Sequence, residues 1–409
     1  MLPYKTLPTN QPGEGFEHLS GVRVVDLTTS VAGPYATQLL ADFGASVIKV
    51  EKPGSGDDAR QWGPPFLQGE SLWFMSVNRN KRSVAIDVAE PRGLEVLYKL
   101  LESADVLVLN MTPRVQSKLN LSHAQLKEKF PRLIHASLTG YGLTGPRRDW
   151  ACYDLIAEGY SGIMDLTGEL ETDAQKVGTP AADLLAGYDL AFAIMASLHK
   201  RERTGEGCTI DISMINSMTR FVAPRIMSYL GSGEVPRRSG GKDSVIAIYQ
   251  VFETADLPLS LGLGNDGIWS RFWSAVNDPE FGRNDRFQSN ATRREHRAEI
   301  VAHISRVLAT QPREHWLKLF AQHRIPAGPI NRVDEITQDS EMLASGFFQR
   351  VTVGDRDIPQ VGLGISIDGQ SDVLRMLPPL LGQHTQDVLL ESGFDPHDID
   401  ALRRAGIIS

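Results

Sequence analysis

Only two of the 409 residues are cysteine, Cys152 and Cys208. That excludes a disulfide framework and a cysteine zinc cluster, and it fits a reducing cytosol. Apolar runs of the ~20 residues that a membrane-spanning helix needs are also missing, so no membrane is expected as partner. The opening MLPYKTLPTNQPGEGFEHLSG has no charged segment followed by an apolar one. No secretory signal is therefore expected, and residues 1–20 read as a flexible lead-in. Positive charge is in deficit: 42 Lys and Arg against 50 Asp and Glu leave a formal net charge of −8. That balance disfavours nucleic acid as the main partner. The first turn after a strand-like run reads TTSVAGP rather than G-x-G-x-x-G, so the dinucleotide fingerprint is absent where it belongs. Walker A, H-E-x-x-H and G-x-S-x-G are absent as well, and neither a metal site nor a hydrolase elbow is expected.

What the chain does contain is alternation. GVRVVDLT, SVIKVEKP, SVAIDV, DVLVLN, LIHASLTGYG and CTIDISM read as strands, and PYATQLLADFG and PRGLEVLYKLLESA between them have helical spacing. Nearly continuous apolar strands between amphipathic helices predict an α/β fold with a parallel sheet covered on both faces. An α-rich stretch from Cys152 ends near Arg201, Arg203 and Gly205, a basic last turn followed by a glycine stop. GSGEVPRRSGGKD then marks the best domain boundary. From 245 to 335 the pattern changes: VIAIYQVF and PLSLGLG predict antiparallel strands, followed by helices, hence a smaller α+β domain. The large domain is expected over 21–215, a linker over 216–244, and a return to the large domain over 336–409.

The charged residues offer two readings each. Lys49, Lys52, Arg60, Arg79, Lys81 and Arg82 form an early basic cluster, either a solvated surface or an anion site in loops. Asp183, in VGTPAADLLAG, stands directly before a long apolar run, where Asp is a good helix N-cap. A carboxylate at a helix N-terminus is also kept ionised, so capping and chemistry are compatible. Asp154 opens another helix and reads as a cap, Cys152 as a small buried thiol, His135 as structural, and Gly240-Gly241 as a hinge.

Several stretches, in order, resemble the class III CoA-transferase family, which includes formyl-CoA, carnitine and dicarboxylate CoA-transferases and related acyl-CoA racemases. They are LSGVRVVDLTTSVAGPYATQLLADFGASVIKVEKPGSGDDAR, VNRNKRSVAIDV, LTGYGLTGP, YDLIAEGYSGIMDLTG, VGTPAADLLAG, RERTGEGCTIDISM, IPAGPINRVDEI and PPLLGQHT. The resemblance implies a Rossmann-like large domain built from both chain ends, a small inserted domain, and a dimer of interlocked rings, homomeric or heteromeric. It implies that Asp183 is the nucleophile: its carboxylate attacks a donor thioester, CoA thiolate returns to give an aspartyl-CoA thioester, and an acceptor carboxylate takes the CoA. Gly240 and Gly241 fall where a glycine loop offers N–H groups to an oxyanion. CoA-thioester contacts carry over to Ser30, Val31, Lys52, Arg60, Lys81, Asn110, Met111, Lys118 and Leu119; no tightly bound cofactor is implied.

The racemase branch uses a His and an Asp as acid and base. Its His falls at Tyr153, whose ordinary pKa near 10 suits Cα proton transfer poorly. GDDARQWGPPF resembles the dicarboxylate branch, so succinyl-CoA is the expected donor, with an acceptor such as glutarate, itaconate, malate or benzylsuccinate. Arg60, Arg79, Arg225, Arg237 and Arg238 are the expected sources of a cation for the distal carboxylate.

Overall fold

The structure is a computed structural model that describes residues 2–371 and 374–409. The chain divides into two compact units, Met1–Ile163 with Lys176–Leu230 and Ser340–Ser409, and Met164–Gln175 with Gly231–Asp339. The first unit is built on six strands: β1 (Arg23–Leu27), β2 (Ser46–Glu51), β3 (Lys81–Ala85), β4 (Val106–Leu109), β5 (Ile134–Thr139) and β6 (Thr209–Ser213). All pair in parallel, in the order β3-β2-β1-β4-β5-β6. The order reverses between β1 and β4, which opens a crevice at the carboxyl ends of the strands.

Both faces of the sheet are covered, as the unbroken apolar strands require. Val24, Val106, Val108 and Ala136 face one way, toward α1 (Ala32–Asp42) and a 24-residue helix, Ala181–Thr204. Val25, Leu107 and Leu109 face the other, toward α2 (Pro91–Leu101). Val388, Leu389, Ile399 and Leu402 from the two C-terminal helices, Thr385–Glu391 and Pro396–Arg404, pack on that second face. The chain end therefore returns to the sheet. Between β5 and β6 run α3 (Asp154–Ser161) and the 24-residue helix, here α4. Ala182, Ala186, Leu190, Ile194 and Leu198 are buried at helical spacing along α4. Among the described residues α4 is the one helix long and apolar enough to cross a membrane; here its apolar stripe packs on α1 and the sheet. Gly205, at φ 71°, ends it, its N–H donating to the Arg201 carbonyl.

Two expectations change. Residues 1–20 are not a loose lead-in. Thr9 and Asn10 pair in parallel with the strand Phe348–Val353, and Phe16 is 3% exposed and stacked on Phe43. Buried aromatic surface and backbone pairing offset the entropy of ordering this segment. The stretch 216–244 is not a bare linker either: helices Met214–Phe221 and Ala223–Ser232 occupy its first half, with Met218 in the core.

The second unit pairs Tyr249–Phe252 with Leu259–Gly262 and that strand with Ala327–Pro329, all antiparallel. Trp269, Phe272, Trp273, Phe287, Ile300, Ile304, Trp316 and Phe320 fill its own core.

One close approach fixes α4 against α1. A Cβ on Gly187 would lie 2.6 Å from the Ala32 carbonyl oxygen and 3.1 Å from the Tyr35 ring. Gly187→Ala is expected to lower stability by about 1–3 kcal/mol through overpacking, despite alanine's better helix propensity. Urea unfolding of the intact protein measures this.

Candidate active site

The crevice at the strand-order reversal holds a cavity of about 240 Å³. Its walls come from the ends of four strands: Thr29 and Ser30 after β1, Asn110 and Thr112 after β4, Thr139 and Gly140 at the end of β5, and Met214 after β6. Trp150, Cys152, Tyr153 and Asp183 complete it, with Asp58 at the rim. A larger concavity of about 580 Å³ lies in the second unit, lined by Gly240, Gly241, Lys242, Tyr249 and Gly328 among others. The smaller cavity holds the perturbed carboxylate and is taken as the centre of the chemistry.

Asp183 is not the N-cap of α4. The helix begins at Ala181, with Pro180 in the cap position and no side-chain cap bond from it. Asp183 sits in the first turn, and the cap comes from elsewhere. Oδ1 of Asp154 accepts the N–H groups of Ala182 at 2.8 Å and Asp183 at 3.3 Å. One carboxylate thus satisfies two orphan donors of α4 from a different helix. Among the described residues no hydrogen bond reaches the Asp183 carboxylate, which stays open to the cavity. Burial, and then the neighbouring Asp154 charge, push its carboxyl up to about 7. Cys152 lines the same wall, but burial and the Asp183 carboxylate push its thiol up to about 11, which disqualifies it as a nucleophile at neutral pH. Tyr153 occupies the residue before α3, makes no side-chain cap bond, and is 67% exposed.

The turn opposite is clamped from three sides. Asn110 accepts the Thr29 N–H at 3.2 Å and donates to its carbonyl at 2.8 Å. Ser30 adopts φ 72°, a left-handed conformation that is strained for a residue with a side chain. Its N–H donates to Asp57 Oδ1 at 2.9 Å. Asp57 is in turn paired at 2.8 Å with Lys49, whose ammonium also donates to the Thr28 carbonyl at 2.8 Å. Lys49 and Asp57 side chains are both 0% exposed.

Four members of the early basic cluster, Lys49, Arg60, Arg79 and Lys81, are instead turned inward onto carboxylates, while Lys52 stays exposed. Lys81 is fully buried, with its ammonium 3.2 Å from Asp26 and donating to the Pro34 carbonyl at 2.7 Å and Asn78 at 2.8 Å. Burial alone would raise the Asp26 carboxyl, but Lys81 and Lys49 hold it down at about 2. Arg60 makes a two-pronged pair with Glu51 at 2.7 Å and lies over the Phe74 ring. Arg79 pairs in the same way with Asp42. These cations neutralise interior carboxylates, so Lys81, Arg60 and Arg79 present no free charge to a CoA phosphate or a substrate carboxylate. No Lys or Arg lines the Asp183 cavity among the described residues.

Of the other expected contacts, Ser30 and Asn110 line the cavity, and Val31 is buried at the start of α1. Met111 packs on the core, Leu119 beside it, while Lys52 and Lys118 are exposed. Gly240 and Gly241 lie in the second unit. Gly240 has φ 60° and donates to the Gly168 carbonyl at 2.8 Å, and Gly241 accepts the Val251 N–H at 2.9 Å. Arg237 and Arg238 face Asp165 at 3.9 and 3.6 Å. Sequence reading missed Lys49 and Asp57 as supports of the Ser30 turn. The only signal was charge of both signs within and just after one strand.

The raised Asp183 carboxyl has a thermodynamic consequence. A group protonated more readily in the folded state contributes stability below its unfolded pKa, and that contribution is lost as pH rises through about 7. Asp183→Asn is therefore expected to be more stable than the parent at pH 8, on the order of 2–4 kcal/mol, with the difference fading toward pH 4. Urea unfolding of both proteins across that range measures it.

Comparison with known proteins gives this site its setting. The sequence profile of CoA-transferase family III matches residues 19–385. Succinyl-CoA:glutarate CoA-transferase from Mus musculus is 37% identical over 399 residues, covering 97% of this chain and 91% of that protein. Succinate–glutarate CoA-transferase from Agrobacterium fabrum is 38% identical over 383 residues, covering 91% and 95%. The crystal structure of a CAIB/BAIF family protein from Brucella suis superposes with a TM-score of 0.80 at 35% identity, covering 91% of this chain and 99% of its own. With a parallel sheet whose switch-point crevice holds a desolvated carboxylate, the chain belongs to CoA-transferase family III and is a CoA-transferase.

Proposed function

We propose that the protein transfers CoA from succinyl-CoA to a short dicarboxylate through a covalent intermediate on Asp183. The observation that carries this reading is the Asp183 carboxylate itself: open to the crevice, without a hydrogen-bond partner among the described residues, and desolvated enough to be nucleophilic near neutral pH. The names of the mouse and Agrobacterium relatives support succinyl-CoA and glutarate as the substrate pair.

The steps follow from the groups present. An Asp183 oxygen attacks the thioester carbonyl; the C–S bond breaks, leaving an acyl-aspartyl anhydride and CoA thiolate. The thiolate attacks the Asp183 carbonyl and expels the free donor acid, forming an aspartyl-CoA thioester. The acceptor carboxylate attacks that thioester to give a second anhydride and thiolate. Attack of the thiolate on the acceptor carbonyl forms the new acyl-CoA and restores Asp183. No net proton is gained or lost. Each intermediate retains the thioester's free energy only while water is kept away. Ser30, Asn110 and Lys52 are the proposed contacts to the CoA thioester.

Assembly as a homodimer belongs to the same reading. Phe192 on α4, Phe221, Met227 and Leu230 are each more than half exposed on neighbouring helices. A second copy is the occupant that would cover this apolar face.

The reading is tested by mass spectrometry of protein mixed with succinyl-CoA and then hydroxylamine. A hydroxamate on the peptide that contains Asp183, absent from Asp183→Ala, is expected, with turnover reduced at least about a thousandfold in the variant. No adduct with any acyl-CoA, together with exchange of an α-proton for solvent deuterium, would replace it with the racemase reading. A second expectation concerns pH. Activity should fall as pH drops below about 7, where Asp183 takes up a proton. Asp154→Asn removes the adjacent charge while keeping an accepting oxygen at the cap, so it should move that limb to lower pH. Profiles of kcat/KM for the two proteins decide this.

A further inference from the structure

One helical turn after Asp154, α3 carries a second acid that the proposed steps do not use. Glu158 is completely buried. Its Oε2 accepts the Val177 N–H at 2.9 Å, which ties α3 to the loop that leads into α4. Its Oε1 is also shut off from water and has no hydrogen-bond donor among the described residues. The acid that interacts with the Glu158 side chain is Asp154, one turn earlier on the same helix and an acceptor already engaged by the first turn of α4. The charged group of the adjoining loop is Lys176, whose ammonium donates to the Val177 carbonyl at 2.9 Å.

Two carboxylates in contact, one of them sealed from solvent, cannot both be anions without leaving a buried acceptor facing another acceptor. A single proton removes the conflict. Placed on Glu158 Oε1, it converts a repulsive contact into a charge-assisted O–H···O bond to Asp154, and the Oε2 bond to Val177 is kept. Burial favours the same outcome, since it pushes the Glu158 carboxyl above the ordinary glutamate value.

We propose that Glu158 is protonated at neutral pH and serves as a positioning residue, its Oε1–H held by Asp154 and its Oε2 holding Val177. One neutral acid then fixes both the cap of α4 and the loop before it, and so the place where Asp183 emerges. It also leaves the Asp154 carboxylate fully committed, one oxygen to the α4 N–H groups and one to Glu158. The protonation stands on the packing alone; its effect on turnover rests on the reading of Asp183 as nucleophile.

Infrared difference spectroscopy of the intact protein at pH 7 tests the proton directly. Asp183, whose carboxyl is pushed up to about 7, would contribute a band of its own, so the comparison is made in Asp183→Asn. The expected result is a protonated carboxylic-acid band in Asp183→Asn that disappears when Glu158→Gln is added and shifts when Asp154→Asn is added, where the acceptor becomes an amide. Absence of the band from Asp183→Asn, or its persistence after Glu158→Gln is added, overturns the proposal. Turnover supplies the second arm. Glu158→Gln, whose amide N–H replaces the O–H, should keep kcat within about fivefold, whereas Glu158→Ala should lose roughly ten- to a hundredfold. If Gln is as damaging as Ala, the group acts as an anion and the proposal fails. Stability reads the same proton. The parent should lose stability as pH rises above the ordinary glutamate range, and Glu158→Gln should lose less. Failure to find an Asp183 adduct would end the transfer mechanism and leave the infrared assignment untouched.

Discussion

The arrangement of the site depends on one contact, the Asp154 carboxylate seated on the first turn of α4. A helix of 24 residues has donors at its start that must be satisfied, and here the side chain that satisfies them belongs to another helix. That leaves Asp183, in the same turn, with nothing to cap. A carboxylate freed from structural duty, beside a second negative charge and inside a partly closed crevice, holds its proton far more tightly than an ordinary aspartate. The destabilisation localised there is what singles the group out as the proposed nucleophile. Gly187 sets the other coordinate, because the absence of a side chain lets α4 approach α1 closely one turn after Asp183.

Much of this was legible in the residues. Near-continuous apolar strands between amphipathic helices specified a parallel sheet, and all six predicted strands take part in it. The Arg201–Gly205 stop ended α4 where expected. The family resemblance rested on motifs spread over nearly the whole chain, and comparison with known proteins agrees with it. Other features were not legible, for physical reasons. Asp183 looked like a cap because local sequence favours capping at that spacing. The actual cap is 29 residues away in sequence from the N–H of Asp183, and only tertiary folding brings it close. The flexible reading of residues 1–20 failed because a two-residue strand finds its partner more than 300 residues later.

The inward-facing part of the basic cluster is the most instructive departure from the sequence reading. Lysine and arginine are ordinarily exposed, so a run of them suggests a surface or an anion site. Lys49 and Lys81 lie on β2 and β3, and their compensating carboxylates come from Asp26 and Asp57. Each partner alone would be an expensive buried charge; as a connected set they are mutually satisfied. The set lies directly beneath the Thr28–Ser30 turn and holds it in a conformation that its own residues disfavour. Strain at the mouth of the crevice is sustained by electrostatics in the interior.

That placement separates the protein's ion pairs by their response to ionic strength. Surface pairs such as Lys99–Glu102 lie in water, where mobile ions screen them within about 10 Å at 0.1 M salt. No mobile ion reaches Lys49 and Asp57, whose side chains have no exposed surface. Salt therefore erodes the attraction on the outside of the molecule while the lattice of charges that shapes the Ser30 turn is left at full strength.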